Sequence, residues 1–164
     1  MEVKLHKPEY EPLLPSGFHP MTLSDLKTKF VDNFARSKRR PMLWKNFIWL
    51  TEELIALDLK CKLWLDGSFV TRKHDPHDID IIVECDVGHL RSLNQDQGNF
   101  LKQLSFSEFK NEPRFLHTFF IQSAPLGHME WAKCEGPKNV WIENFGYSFE
   151  KRIPKGIATI EVGK

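Results

Sequence analysis

The residues best suited to chemistry are two acids and a turn of small residues. Leu63-Trp64-Leu65 is an apolar run ending at Asp66-Gly67-Ser68, and after a gap of nine residues a second run opens as Asp78-Ile79-Asp80-Ile81-Ile82-Val83. In a strand, residues i and i+2 point to the same face. Asp78 and Asp80 therefore project side by side, while Ile79, Ile81 and Val83 turn toward a core. Neighbouring carboxylates repel each other unless a cation sits between them. Their hard oxygens suit Mg²⁺ or Mn²⁺, and a paired-metal site suits phosphoryl chemistry. Gly67 lets the backbone approach a phosphate closely, and Ser68 offers an N–H and a hydroxyl where a short helix can begin. The pattern reads as an NTP–metal site. Taken singly, Gly-Ser is a common turn and Asp-x-Asp a solvated strand rim. Their spacing between two apolar strands is what points to chemistry.

Stepping outward, these residues need strands to hold them. Leu63–Asp66 and Asp78–Cys85 are expected core strands, and the aromatic, β-branched stretch Arg114–Ile121 a third. From Pro41 to about Asp58, Leu43, Phe47, Leu50, Leu54 and Leu57 recur at helical spacing, so a long helix is expected to pack on one face. Thr22 or Ser24 can cap an earlier helix with an apolar stripe of Leu23, Leu26, Phe30, Val31 and Phe34. Residues 1–20 carry Pro8, Pro12, Pro15 and Pro20, which predicts an extended arm lying across the domain. Asp86 can cap a short helix through about Leu93, Gln95–Asn99 reads as polar loop, and Phe100 to about Lys110 is amphipathic. Asn139–Phe145 is a short helix candidate, and Pro154-Lys155-Gly156 is a turn into a late edge strand, Ile157–Val162. The expected fold is α/β (α+β): a mixed sheet flanked by helices, with residues 1–164 as one domain.

Gly-Ser, a nine-residue gap, then Asp-hydrophobic-Asp-hydrophobic resembles the nucleotidyltransferase superfamily of the DNA polymerase β type. The minimal nucleotidyltransferases of bacterial toxin–antitoxin modules look especially similar. The resemblance implies phosphate binding by Gly67 and Ser68 and metal ligation by Asp78 and Asp80. It also includes Lys73, a cation between the turn and the acids that can approach a triphosphate. A wider likeness is to an uncharacterised bacterial domain family of this fold, small proteins often encoded near mobile elements or defence genes. It rests on Leu14-Pro15-Ser16-Gly17-Phe18-His19, on the stretch from Asp66 to Lys73, and on Pro154-Lys155-Gly156-Ile157. Many superfamily members carry a third acid on the strand beside Asp-x-Asp. Here the central positions of that strand are His117 and Thr118. Either Glu130, in Gly127-His128-Met129-Glu130-Trp131, supplies that acid, or there is none.

Other candidates are weaker. Arg36-Ser37-Lys38-Arg39-Arg40 has four basic residues in five and can receive RNA, DNA or an acidic partner, although a solvated loop between helices explains it more simply. His74-x-x-His77 lacks the further ligands of a zinc site, and its better role is shaping the loop that delivers Asp78.

The chain has 164 residues, 41% of them hydrophobic, which suffices for one domain with a real core. A formal net charge of +1 gives no global pull toward nucleic acid or membrane. The three cysteines are widely spaced, and Cys61 and Cys85 sit in or beside apolar runs, so buried free thiols are expected. No apolar run approaches membrane-span length, and the charged N-terminus lacks a signal-peptide core, so a cytoplasmic protein is expected. Function divides into two classes. One is a Mg²⁺-dependent enzyme transferring NMP from an NTP to a hydroxyl of a protein or RNA. The other is a module of the same fold that binds nucleotide or docks on a partner, such as a cognate toxin or defence effector, without transfer.

Overall fold

The strand pair that carries the acids forms the centre of the sheet. Strand β2 (Cys61–Asp66) runs antiparallel to β3 (Ile79–Asp86), with Leu63 opposite Val83 and Asp66 opposite Asp80. The computed structural model describes residues 8–150 and 152–163. Three further strands complete a five-stranded mixed sheet: β1 (Gly17–Pro20), β4 (Leu116–Ser123) and β5 (Gly156–Val162), in the order β1-β5-β2-β3-β4. β4 lies parallel to β3 and β1 parallel to β5, while β5 is antiparallel to β2.

Both faces of the central strands are covered, which is why their sequences read as nearly continuous apolar runs. On one face Leu63, Leu65, Ile81 and Val83 join a core with the helices α1 (Leu23–Phe30), α2 (Arg39–Ala56) and α4 (Gln95–Ser105). The stripe Leu43, Phe47, Leu50 and Leu54 of α2 is fully buried there. On the other face Trp64, Ile82, Ile121 and Ile157 pack with Phe145, Trp141 and Ile142 of α5 (Trp131–Phe145). Thr22 caps α1 with a reciprocal bond from Asp25, and Asp86 caps the one-turn helix α3 (Val87–Leu90). Cys61, Cys85 and Cys134 are buried free thiols. Among the described residues no helix is long and apolar enough to cross a membrane.

Four expectations need correction. Gln95–Asn99 is not loop but the first turn of α4, because the Asn94 side chain accepts from the Gln97 N–H and the Gln97 side-chain oxygen accepts from the Asn94 N–H. Helix α5 begins well before Asn139 and contains Pro137. Strand β5 is interior rather than at the edge, because Gly17–Pro20 of the arm pairs along its outer side. The part of the arm expectation that falls on residues 1–7 lies outside the described residues.

The fourth correction concerns the basic run. Arg40 is fully buried, not solvated, and its five N–H groups donate to five carbonyls. Nη1 reaches Phe30 (2.6 Å) and Phe69 (2.8 Å), Nη2 reaches Thr71 (2.8 Å) and Lys73 (2.6 Å), and Nε reaches His74 (3.2 Å). The guanidinium also lies 3.7 Å from the centroid of the Phe34 ring. Burial pulls its pKa down to about 10, opposed by the charge of Asp75, so it remains a cation at neutral pH. Arg39 donates to the carbonyls of Pro76 and His77 and stacks 4.5 Å from the Phe115 centroid. Arg39 and Arg40 thus bind the protein's own loop, residues 67–77, which joins the Gly-Ser turn to the acids, while Arg36 and Lys38 are exposed.

Candidate functional site

The ends of β2, β3 and β4 and the residue before β5 bring the polar groups to one corner of the sheet. Asp66 faces Asp80 across β2–β3, and Asp80 faces His117 across β3–β4. Residues directly opposite in register share a face, here the α5 side. Asp78 ends the loop just before β3 and completes the group. Ligand atoms of Asp78, Asp80 and His117 all lie within 4.8 Å of one another, and all three side chains are partly exposed. His117 Nδ1 lies 2.9 Å from Asp80 Oδ1.

Two carboxylates and an imidazole suit a divalent cation. The oxygens favour Mg²⁺ or Mn²⁺, and the ring nitrogen tilts the set toward Mn²⁺. A nitrogen that gives its proton to Asp80 has no lone pair for an ion, so His117 at that atom serves one role or the other.

Gly67 has a positive φ of 72°, and a Cβ there would fall 2.0 Å from Asp80 Oδ2. Its lack of a side chain is thus a requirement of the acid as well as of the turn. Gly67–Val70 form a single 3-10 turn, closed by Thr71, whose N–H and hydroxyl both donate to the Ser68 carbonyl. Gly67, Ser68, Asp78 and Asp80 line one cleft of about 180 Å³. Lys155 also lines it, from the residue before β5.

Lys155, for which a turn suffices as explanation in the sequence although it could also face a phosphate or partner, is buried, and its Nζ lies 2.8 and 3.0 Å from the two oxygens of Asp66. The bond to Oδ2 is well aligned. Oδ1 is approached more closely yet has no aligned hydrogen bond. Burial pushes the Asp66 carboxyl up to about 7; Lys155 and the Gly67 N–H pull it down, and the charge of Asp80 adds to the rise. Sequence reasoning missed this pair. An acid closing a buried strand immediately before a glycine turn was the available signal.

The other expected site residues fall as follows. Lys73 does not line the cleft; its ammonium stands 5.8 Å from the centroid of Tyr10, which does. The histidines of His74-x-x-His77 diverge, His74 to Asp75 at 3.0 Å and His77 to the edge of Phe115. Asp75 also accepts from the Ser37 hydroxyl, and these bonds, that from Ser37 foremost, pull its carboxyl down to about 2. Glu130 is not brought to the acids. It accepts a 2.9 Å bond from Arg91, beyond the far end of β3, about 20 Å along the strand from Asp80 at the usual rise per residue. The place on β4 beside Asp80 belongs to His117 instead.

Two segments wall the cleft. Residues Pro8 to Tyr10 belong to the arm, which Pro12 fastens by a bridge to Thr71. Ser148 and Phe149 belong to the loop between α5 and β5, pinched shut by the Tyr147–Pro154 bridge. The Glu9 carboxylate ties the walls together, accepting from the Ser148 hydroxyl at 3.2 Å and the Glu150 N–H at 2.6 Å.

No curated protein and no solved structure matches this chain. A family model does match residues 7–161, nearly the whole length, so the chain belongs to the family of unknown function DUF6932.

Proposed function

We propose that this protein is a Mg²⁺- or Mn²⁺-dependent nucleotidyltransferase, which moves NMP from an NTP to a hydroxyl on a protein or RNA. The observation that carries the reading is the convergence of Asp78, Asp80 and His117 within 4.8 Å, beside a glycine turn that packs on Asp80 itself. The resemblance of the Gly67-Ser68 and Asp78-x-Asp80 spacing to polymerase β-type nucleotidyltransferases supports it further. Asp78 and Asp80 would hold the cation, whose charge offsets that of the triphosphate. Ser68 and Lys155, which line the same cleft, would meet phosphate oxygens. The setting we favour is cytoplasmic, in a toxin–antitoxin or phage-defence module, with a cognate toxin or defence effector as protein partner.

A second reading has its own support. His117 stands where many nucleotidyltransferases carry a third acid, and a neutral imidazole is a poorer ligand for Mg²⁺ than a carboxylate and brings it no negative charge. On that reading the protein binds nucleotide or docks on its partner without transfer.

Calorimetry with each NTP and Mg²⁺ or Mn²⁺, paired with a labelled-NTP transfer assay on the neighbouring gene product and RNA, separates the two. Asp78→Asn and Asp80→Asn should each lose metal-dependent NTP binding and any transfer while remaining folded. Equal NTP binding by wild type and the double variant would make the acids structural. Binding without transfer to any acceptor would favour the second reading.

A further inference from the structure

The mouth of the cleft carries two aromatic side chains that the metal site does not explain. Tyr10 from the arm is 39% exposed, and Phe149 from the α5–β5 loop is 93% exposed, yet both line the same cleft as Asp78, Asp80 and Ser68. Both segments are hydrogen-bonded at their anchoring points. The arm is bonded to the turn region through Arg72 N–H to Glu11 O (2.8 Å) and Leu13 N–H to Val70 O (3.0 Å). The loop carrying Phe149 is closed by Ser148 N–H to Ile153 O (2.9 Å) and Lys155 N–H to Gly146 O (2.8 Å). Glu9 holds the two segments to each other. A phenyl ring so exposed contributes little to the core, and here a braced loop holds it at a polar cleft.

We propose that Tyr10 and Phe149 form a stacking clamp for the base of a nucleotide whose triphosphate lies toward Ser68, Asp78 and Asp80. The inference rests on the nucleotide reading of the acidic site and adds where the base goes. Aromatic faces attract the face of any nucleobase, and a cation near one ring strengthens such stacking. Lys73, 5.8 Å from the Tyr10 centroid, is placed to do so. Because faces and not edges are read, the clamp is expected to accept all four bases.

The test is calorimetry on the full chain with two probes in Mg²⁺, ATP and inorganic tripolyphosphate. Wild type should bind ATP more tightly than tripolyphosphate. Tyr10→Ala and Phe149→Ala should each weaken ATP by about 5- to 100-fold, the worth of one stacked base, and leave tripolyphosphate unchanged. Tyr10→Phe should retain wild-type ATP affinity, since it keeps the ring. Equal binding of both probes by wild type, or parallel loss of both in the alanine variants, overturns the clamp while leaving the acidic site standing. Absence of Mg²⁺-dependent binding of either probe by wild type overturns the acidic-site reading, and the clamp with it.

Discussion

Two buried carboxylates on the same sheet face, each paired with a lysine, meet different fates. Glu84, in the second half of β3, has both oxygens engaged: Oε2 accepts from Trp64 Nε1 at 2.7 Å and Oε1 from Lys138 at 3.1 Å. Asp66, at the end of β2, shares one lysine between its oxygens, leaves Oδ1 without an aligned bond and faces Asp80. The Glu84 arrangement is closed and explains itself as structure. The Asp66 arrangement has a like charge, Asp80, opposite it and reaches a cleft through Lys155, and a buried polar group so placed is a candidate for chemistry as well as structure.

The contrast can be broken first at Arg40, which supports the irregular backbone of the site end. Arg40→Met strips the donor from five carbonyls, and urea unfolding should show a loss of about 3–5 kcal/mol, the scale for removing one member of a buried charged network. Stability near wild type would mean that the loop holds itself and the site end is no more demanding than the far end.

Next comes a matched pair of isosteric changes. Glu84→Gln should cost about 1–3 kcal/mol of stability, as buried bonds to Trp64 and Lys138 weaken, and leave ATP binding in Mg²⁺ as it was. Asp66→Asn should destabilise on the same scale but tighten triphosphate binding, because the charge of Lys155 is no longer offset. Identical binding by both variants would erase the distinction between the two carboxylates.

The smallest effect is a pH dependence. The Asp66 carboxyl titrates near 7 when folded, above its ordinary value of 3.8. The folded state therefore holds the extra proton between those values, and the stability it contributes is full below the lower and lost as pH rises through the upper. The stability difference between wild type and Asp66→Asn should accordingly fall as pH rises across that window, measured by thermal unfolding. A flat difference would show that Lys155 keeps the carboxylate ionised throughout.

How far the chain could be read from sequence depended on whether the deciding interaction was local. The β3 strand was legible because Ile79, Ile81, Ile82 and Val83 are interrupted only by Asp80, and α2 because its leucines and Phe47 repeat at helical spacing. The cap at Asp86 was legible for the same reason, being settled within a few residues, and that of α1 was narrowed to Thr22 or Ser24. The start of α4 was equally local but hidden, since a polar first turn with Gly98 looks like loop unless the Asn94–Gln97 capping box is noticed. Helix α5 buries few side chains and contains Pro137, so neither periodicity nor propensity announced it.

The long-range features were out of reach. Arg40 looked solvated because the carbonyls that receive it come from Phe30 and from residues 69–74, and only the fold gathers them. Asp78, Asp80, Gly67 and Ser68 were found by spacing and do share a cleft, but the third member of the cluster, His117, depended on the register of β4 beside β3. Lys155 and Asp66 lie 89 residues apart in the chain, and no periodicity pairs them.

The short first strand has a consequence for solubility. β1 is the outermost strand on its side of the sheet and covers the backbone of β5, from Gly156 to Thr159, along an edge where it ends at Pro20. A proline cannot donate to a further ladder, and so short a strand offers little template for an incoming chain. Without the arm, β5 would be the exposed rim, a longer row of unpaired amides carrying Ile157, Ile160 and Val162. The same segment that walls the cleft thus also guards the sheet against pairing with its own copies.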